Sequence, residues 1–218
     1  LSQKWILVLV LAVLACQKKA SFDKETAKSY FQEIVLGNEW ASPRTVVSKW
    51  EKPLYIYLQG DFPSDLEKEL HQIIGELKVL TKLEMYLVEN ADNANMIVFA
   101  GKASEYIQKV EPRASSFIKK NKGLFYVDVC QDASICKGSI WVDTHKVLQL
   151  NLQKHLLREE FTQSLGFVND SWRFKESIFY QGWTKNQHYT ELDIWLIKQL
   201  YHPEIHSGMT WIEIQDFF

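Results

Sequence analysis

Glu159-Glu160-Phe161-Thr162-Gln163-Ser164-Leu165-Gly166, with Asn169 three residues further on, is the stretch that decides how this chain is read. Residues 159 and 163 are four apart, so on a helix their side chains lie about 40° apart on one face. Glu160 stands beside them, and Gly166 is a helix-stop signal three residues before Asn169. The spacing suits a metal-binding helix, but the residue types do not. Zinc is bound by Cys, His, Asp and Glu, with His dominant. A Glu, a neutral Gln and a neutral Asn offer one charge and weak carbonyl oxygens. Calcium accepts amide oxygens but wants about six or more ligands and several carboxylates. The stretch points to a fold more clearly than to an activity.

The composition is that of a globular protein: 218 residues, 46% hydrophobic and 24% charged. Roughly 200 residues are enough for one domain with a full core. A net charge of -2 gives no basic field for nucleic acid. Near the start, Lys4 precedes an apolar run from Trp5 to Ala15. That run has the length of a signal-peptide core and is too short to span a bilayer. Residues 1–15 therefore read as a signal peptide. Val13-Leu14-Ala15-Cys16 resembles the bacterial lipobox, which makes Cys16 the lipidated residue and the membrane the first partner. A secretory signal that happens to contain a Cys is the alternative. Gln17 after the Cys, by resemblance to enteric lipoprotein sorting, favours the outer membrane facing the periplasm over the inner membrane. With Cys16 set aside, Cys130 and Cys136 remain as one pair. An oxidising periplasm permits a disulfide between them; two buried thiols are the other reading.

Along the rest of the chain the periodicity predicts a helix from Phe22 to Leu36, stopped by Gly37, within a leading segment of residues 16–50. Residues 51–218 form the domain. Strands are predicted at Leu54–Leu58, Glu84–Val88, Asn95–Phe99, Leu124–Val129 and Ser139–Val142. A helix runs from Ser64 to Leu80, with Ser64 and Glu67 spaced as a capping box. A shorter one starts at Ser104, the motif helix covers about Val147 to Leu165, and the last covers Thr190 to Tyr201. The class is α+β, with a twisted mixed sheet, a helix of active-site type and a C-terminal helix.

That order resembles the metzincin domain of the zincin peptidases, whose helix reads H-E-x-x-H-x-x-G-x-x-H. Laid on it, Glu159, Gln163 and Asn169 take the ligand positions, Glu160 the general base and Gly166 the turn. Ser177-Ile178-Phe179-Tyr180 is similar to the Met-turn beneath the metal, with Phe179 where Met is expected. Ala91-Asp92-Asn93 before a strand, and Thr190-Glu191-Leu192-Asp193-Ile194 leading to Leu200-Tyr201, resemble further matrixin-like elements. A closer resemblance is to a family of proteobacterial lipoproteins with no established activity, marked by E-E-x-T-Q-x-L-G, then N-D, S-[IV]-F and a Y-x-P-x-x-x-x-G-M-T tail. Here these are Glu159 to Gly166, Asn169-Asp170, Ser177-Ile178-Phe179, and Tyr201 with Pro203 to Thr210.

Three functions follow. The first is an envelope lipoprotein with a non-catalytic metzincin-like domain, needing no cofactor, that binds a protein or a cell-wall component such as peptidoglycan. Hydrogen bonds among Glu159, Gln163 and Asn169 then replace those once made through metal. The second is a divergent metal-dependent hydrolase with Glu160 as base and zinc in an unusual ligand set. The third is a purely structural lipoprotein; the plain structural reading of the motif puts Glu159 and Glu160 on a solvated helix face with Arg158 beside them. His155 extends the stripe of Glu159 and Gln163 by one turn and reads as a surface or capping partner, while His202 and His206 read as loop residues. Trp172, Tyr180 and Trp183 in the aromatic loop are the candidate binding surface, and Trp183 is expected to be exposed.

Overall fold

A five-stranded sheet organises the molecule, and its strands appear where the β-branched and aromatic runs are. They are β1 (Leu54–Gly60), β2 (Met85–Leu87), β3 (Met96–Ala100), β4 (Gly123–Val129) and β5 (Ile135–Val142). The computed structural model describes residues 22–37, 44–119 and 121–218. The spatial order is β2-β1-β3-β5-β4. Four strands run parallel, and β4 alone runs antiparallel, paired to β5 from Gly123↔Val142 to Val129↔Ile135. The central strands β3 and β5 are the most apolar because both their faces are covered. Side chains alternate across them: Val98 and Ile140 join the main core, while Phe99 and Trp141 face a second, smaller one.

The smaller core is covered by α3 (Ala103–Lys109) and a 3-10 segment, Pro112–Ser116. Tyr106 stacks 6.1 Å from Trp141 and shares a 2.7 Å hydrogen bond with Ser139. On the main-core side lie α1 (Lys24–Leu36), α2 (Ser64–Thr81), α4 (Leu150–Gln163) and α5 (Glu191–Leu200). Asp23 caps α1 by accepting the Thr26 N–H at 2.9 Å. Tyr30, Phe31, Ile34 and Val35 sink that helix into the same core as the sheet. Thr190 and Asp193 form a reciprocal capping box on α5. Thr210 and Glu213 do the same for a one-turn helix that the periodicity does not announce, α6 (Trp211–Ile214).

Two local expectations need correction. Ser64 does not cap α2: Pro63 is the N-cap, and its carbonyl accepts the N–H groups of Leu66 and Glu67 at 2.9 and 3.0 Å. The fixed φ of proline starts the helix one residue earlier than the hydroxyl suggests. Arg158 is not on a solvated face. It is fully buried and bonds Glu69 at 2.8 Å and Glu76, both on α2.

Cys130 and Cys136 form a disulfide, with Cα atoms 6.0 Å apart, at the turn of the β4–β5 hairpin. Among the described residues no helix is long and apolar enough to cross a membrane. The expected signal peptide and Cys16 lie outside the described residues.

Candidate functional site

The free edge of β4 and the flank of α4 enclose a cleft of about 400 Å³, closed on its third side by the loop from Val168 to Trp183. Its wall contains His155, Glu159, Glu160 and Gln163 from α4, Gly123 to Val127 from β4, and Asp170, Gln181 and Trp183 from the loop. The helical period explains the first group: positions 155, 159 and 163 recur every four residues and present one stripe. From His155 to Gln163 this stripe is about 12 Å long at the helical rise.

Glu160 is 9% exposed and its carboxylate reaches toward β4. A Cβ on Gly123 would stand 2.6 Å from its Oε1 and 3.0 Å from its Cγ. Any side chain at position 123 would therefore push the carboxylate aside. A glycine inside a strand often marks such a close approach.

At the C-terminal end of α4 the chain turns at Gly166, whose φ of +122° suits glycine and whose Cβ position lies 2.4 Å from the Ser48 carbonyl. The turn delivers Asp170, not Asn169, to the cleft. The Gln163 amide nitrogen donates to Asp170 Oδ1. An ionised carboxylate only accepts, so Gln163 must present its NH₂ group there. Asn169 faces the other way: its Nδ2 donates to the Asp170 carbonyl at 3.0 Å and sits 2.6 Å from where a Cβ on Gly37 would be. The expected hydrogen bonds among Glu159, Gln163 and Asn169 are thus replaced by a Gln163–Asp170 bond.

His155 is buried at the opposite end of the stripe. Its Nδ1 lies 2.7 Å from the Asn186 carbonyl, which fixes that nitrogen as the donor. Its Nε2 then accepts from Thr184 Oγ1 at 3.1 Å and lies 3.4 Å from Glu159 Oε2. Burial pushes the imidazole below the ordinary histidine value, against the opposing pull of the Asn186 carbonyl. His155 is therefore a cleft residue, not a surface one. His202 and His206 lie in the turn after α5 and take no part in the cleft.

Of the three aromatics proposed as a binding surface, Trp183 lines the cleft. It is 66% exposed, and the ammonium of Lys122, just before β4, lies 4.6 Å from its ring. Trp172, also 66% exposed, packs edge-on against Tyr180 at 5.5 Å, outside the cleft wall.

These groups do not fit zinc. Among the described residues no three His, Cys, Asp or Glu side chains converge as a metal site. The amide at position 163 is held by its nitrogen on Asp170, which leaves only its neutral carbonyl oxygen, a poor match for zinc's preference for Cys, His, Asp and Glu.

Sequence reasoning missed three members of this site. Asp170 is adjacent to the residue chosen, and the facing of neighbours in an irregular turn has no periodic signal. Gly123 carries a weak signal as a strand glycine. Arg44, in the segment before β1, lines the cleft without any pattern to announce it. No curated protein matches the chain. The family model described as "Protein of unknown function (DUF2927)" matches residues 24–218, which include every element of this cleft, and the chain belongs to that family.

Proposed function

We propose that this protein is an envelope lipoprotein, anchored through Cys16, whose metzincin-like domain holds an extended peptide segment in the β4–α4 cleft without hydrolysing it. The segment is supplied by an envelope protein or by the peptide part of the cell wall. The mixed sheet with one antiparallel edge strand beside the motif helix supports the metzincin-like reading. So does Phe179, buried at the Met-turn position with its ring 5.0 Å from Phe167. The apolar run before Cys16 supports export.

The reading without hydrolysis is supported by the residue types: position 163 offers a neutral amide whose nitrogen is engaged with Asp170, in place of a histidine. The support for peptide binding is the edge of β4. It closes the strand order, so among the described residues its outer edge is unpaired within the sheet, and Gly123 to Val127 line the cleft. An exposed edge beside a groove is the arrangement that adds an extended chain as a further strand. The cleft is about 12 Å along α4, which suits three to four extended residues at about 3.3 Å each.

A second reading rests on Glu160. A buried carboxylate at the base position of such a cleft is also what a divergent hydrolase needs. Glu160→Gln separates the two. It keeps the shape and removes the base, so a hydrolase loses about 100-fold or more in rate. The binding reading predicts no turnover of peptides by either form and affinities within about two-fold of each other.

A further inference from the structure

Among the described residues of the cleft, Arg44 stands out because its surroundings do not account for it. Its backbone N–H bonds the Leu36 carbonyl at 2.8 Å, which ties it to the end of α1. The same region packs on the turn after α4: Gly37 abuts Asn169, and the Asn169 N–H bonds the Ile34 carbonyl at 3.2 Å. Arg44 therefore enters the cleft at the Gln163–Asp170 end, away from His155. Its Nη1 is buried and has no hydrogen-bond partner. Among the described residues no carboxylate lies within ion-pair distance of its guanidinium, while Arg113, Arg158 and Arg173 each have one. Burial also holds it below the ordinary arginine value, with no neighbouring acid to counter that effect.

A buried, uncompensated guanidinium nitrogen is costly, and such a cost is retained where a ligand supplies the missing acceptor. The planar fork of arginine matches the two oxygens of a carboxylate. We propose that Arg44 is the anchor for a carboxylate on the segment bound in the cleft, so that this protein selects acidic or C-terminal peptide ends. The proposal rests on the peptide-binding reading of the same cleft and adds the chemical class of the ligand. Glu159, Glu160 and Asp170 also line the cleft, and Lys122 lies near its mouth.

The test is calorimetric titration of the full chain at low salt with three N-acetylated alanine-valine tetrapeptides. One has a free C-terminal carboxylate, one a C-terminal amide, and one a C-terminal amide with a single Glu side chain. The free acid or the Glu peptide should bind about ten-fold or more tightly than the plain amide, as a hydrogen bond to a charged group implies. Whichever of the two binds tightly identifies the source of the carboxylate. Arg44→Gln should bring the tight binder down to the amide's affinity and leave the amide itself unchanged. Equal binding of all three peptides, or equal weakening of all three by Arg44→Gln, overturns the anchor while leaving peptide binding intact. Absence of binding by any peptide at millimolar concentration overturns the peptide-binding reading, and the anchor with it. Arg44→Met supplies an independent check. It should keep or raise Tm, because it removes an unpaired buried polar atom, and a fall of several degrees marks Arg44 as structural and contradicts the proposal.

Discussion

The carboxylate of Glu160 occupies the space that a side chain on Gly123 would take, with Oε1 only 2.6 Å from the Cβ position. The strand glycine and the helix acid thus specify each other across the cleft. Gly123→Ala should cost about 1–3 kcal/mol through local overpacking. In a Glu160→Ala background the same change should cost less than half as much, because the two residues share one space. A denaturation cycle of the four proteins measures this. Additive costs would mean that the contact does not constrain Glu160.

The Gln163–Asp170 bond is charge-assisted and partly buried. Gln163→Ala should destabilise the fold by about 1.5–3 kcal/mol. Gln163→Glu sets two carboxylates against each other, so its penalty should be larger near neutral pH than near pH 4, where the pair shares a proton. Urea melts at the two pH values give the comparison. A penalty that does not change with pH would place Asp170 elsewhere.

His155 gives the fold a pH dependence of known sign. Its folded pKa is lowered by burial, so the unfolded chain binds the proton more readily than the folded one. The stability from a neutral His155 is present above the unfolded value of about 6.5 and is lost as pH falls through the folded value. The slope from one proton cannot exceed about 1.4 kcal/mol per pH unit. Stability measured between pH 7 and 5 should fall more steeply for the wild type than for His155→Gln. Parallel curves would show that the Glu159 carboxylate at 3.4 Å offsets the burial.

The proposed anchoring rests on one thiol, Cys16. Cys16→Ser should release the protein from membranes or leave an unprocessed precursor, because lipid attachment needs that sulfur. Fractionation with detergent extraction distinguishes these outcomes from unchanged membrane association, which would refute the lipobox reading.

Where the sequence was legible, a single local rule decided the outcome. Helix α4 follows from its four-residue stripe, its end from Gly166, and the end of α5 from Pro203 just beyond it. The five strands follow from short β-branched runs between turn residues, and the Cys130–Cys136 bond from the count of cysteines. Where the sequence was not legible, a distant residue decided. Asn169 turns away from the cleft because Gly37 leaves room for its amide, and Asp170 takes the place expected for it. Arg158 is buried because Glu69 and Glu76 wait on α2. Arg44 reaches the cleft because α1 packs beside the turn after α4. None of these contacts leaves a periodic trace.

The zinc content of the full chain separates the proposed peptide binding from metal chemistry in this cleft. After equilibration with zinc and removal of the free ion, the wild type should retain about 0.1 zinc per chain or less, because among the described residues no three His, Cys, Asp or Glu side chains converge and His155 is the cleft's only described histidine. Retention of one zinc per chain, lost on Gln163→Ala or Glu159→Ala, would contradict the account and make Glu160 the base of a working hydrolase.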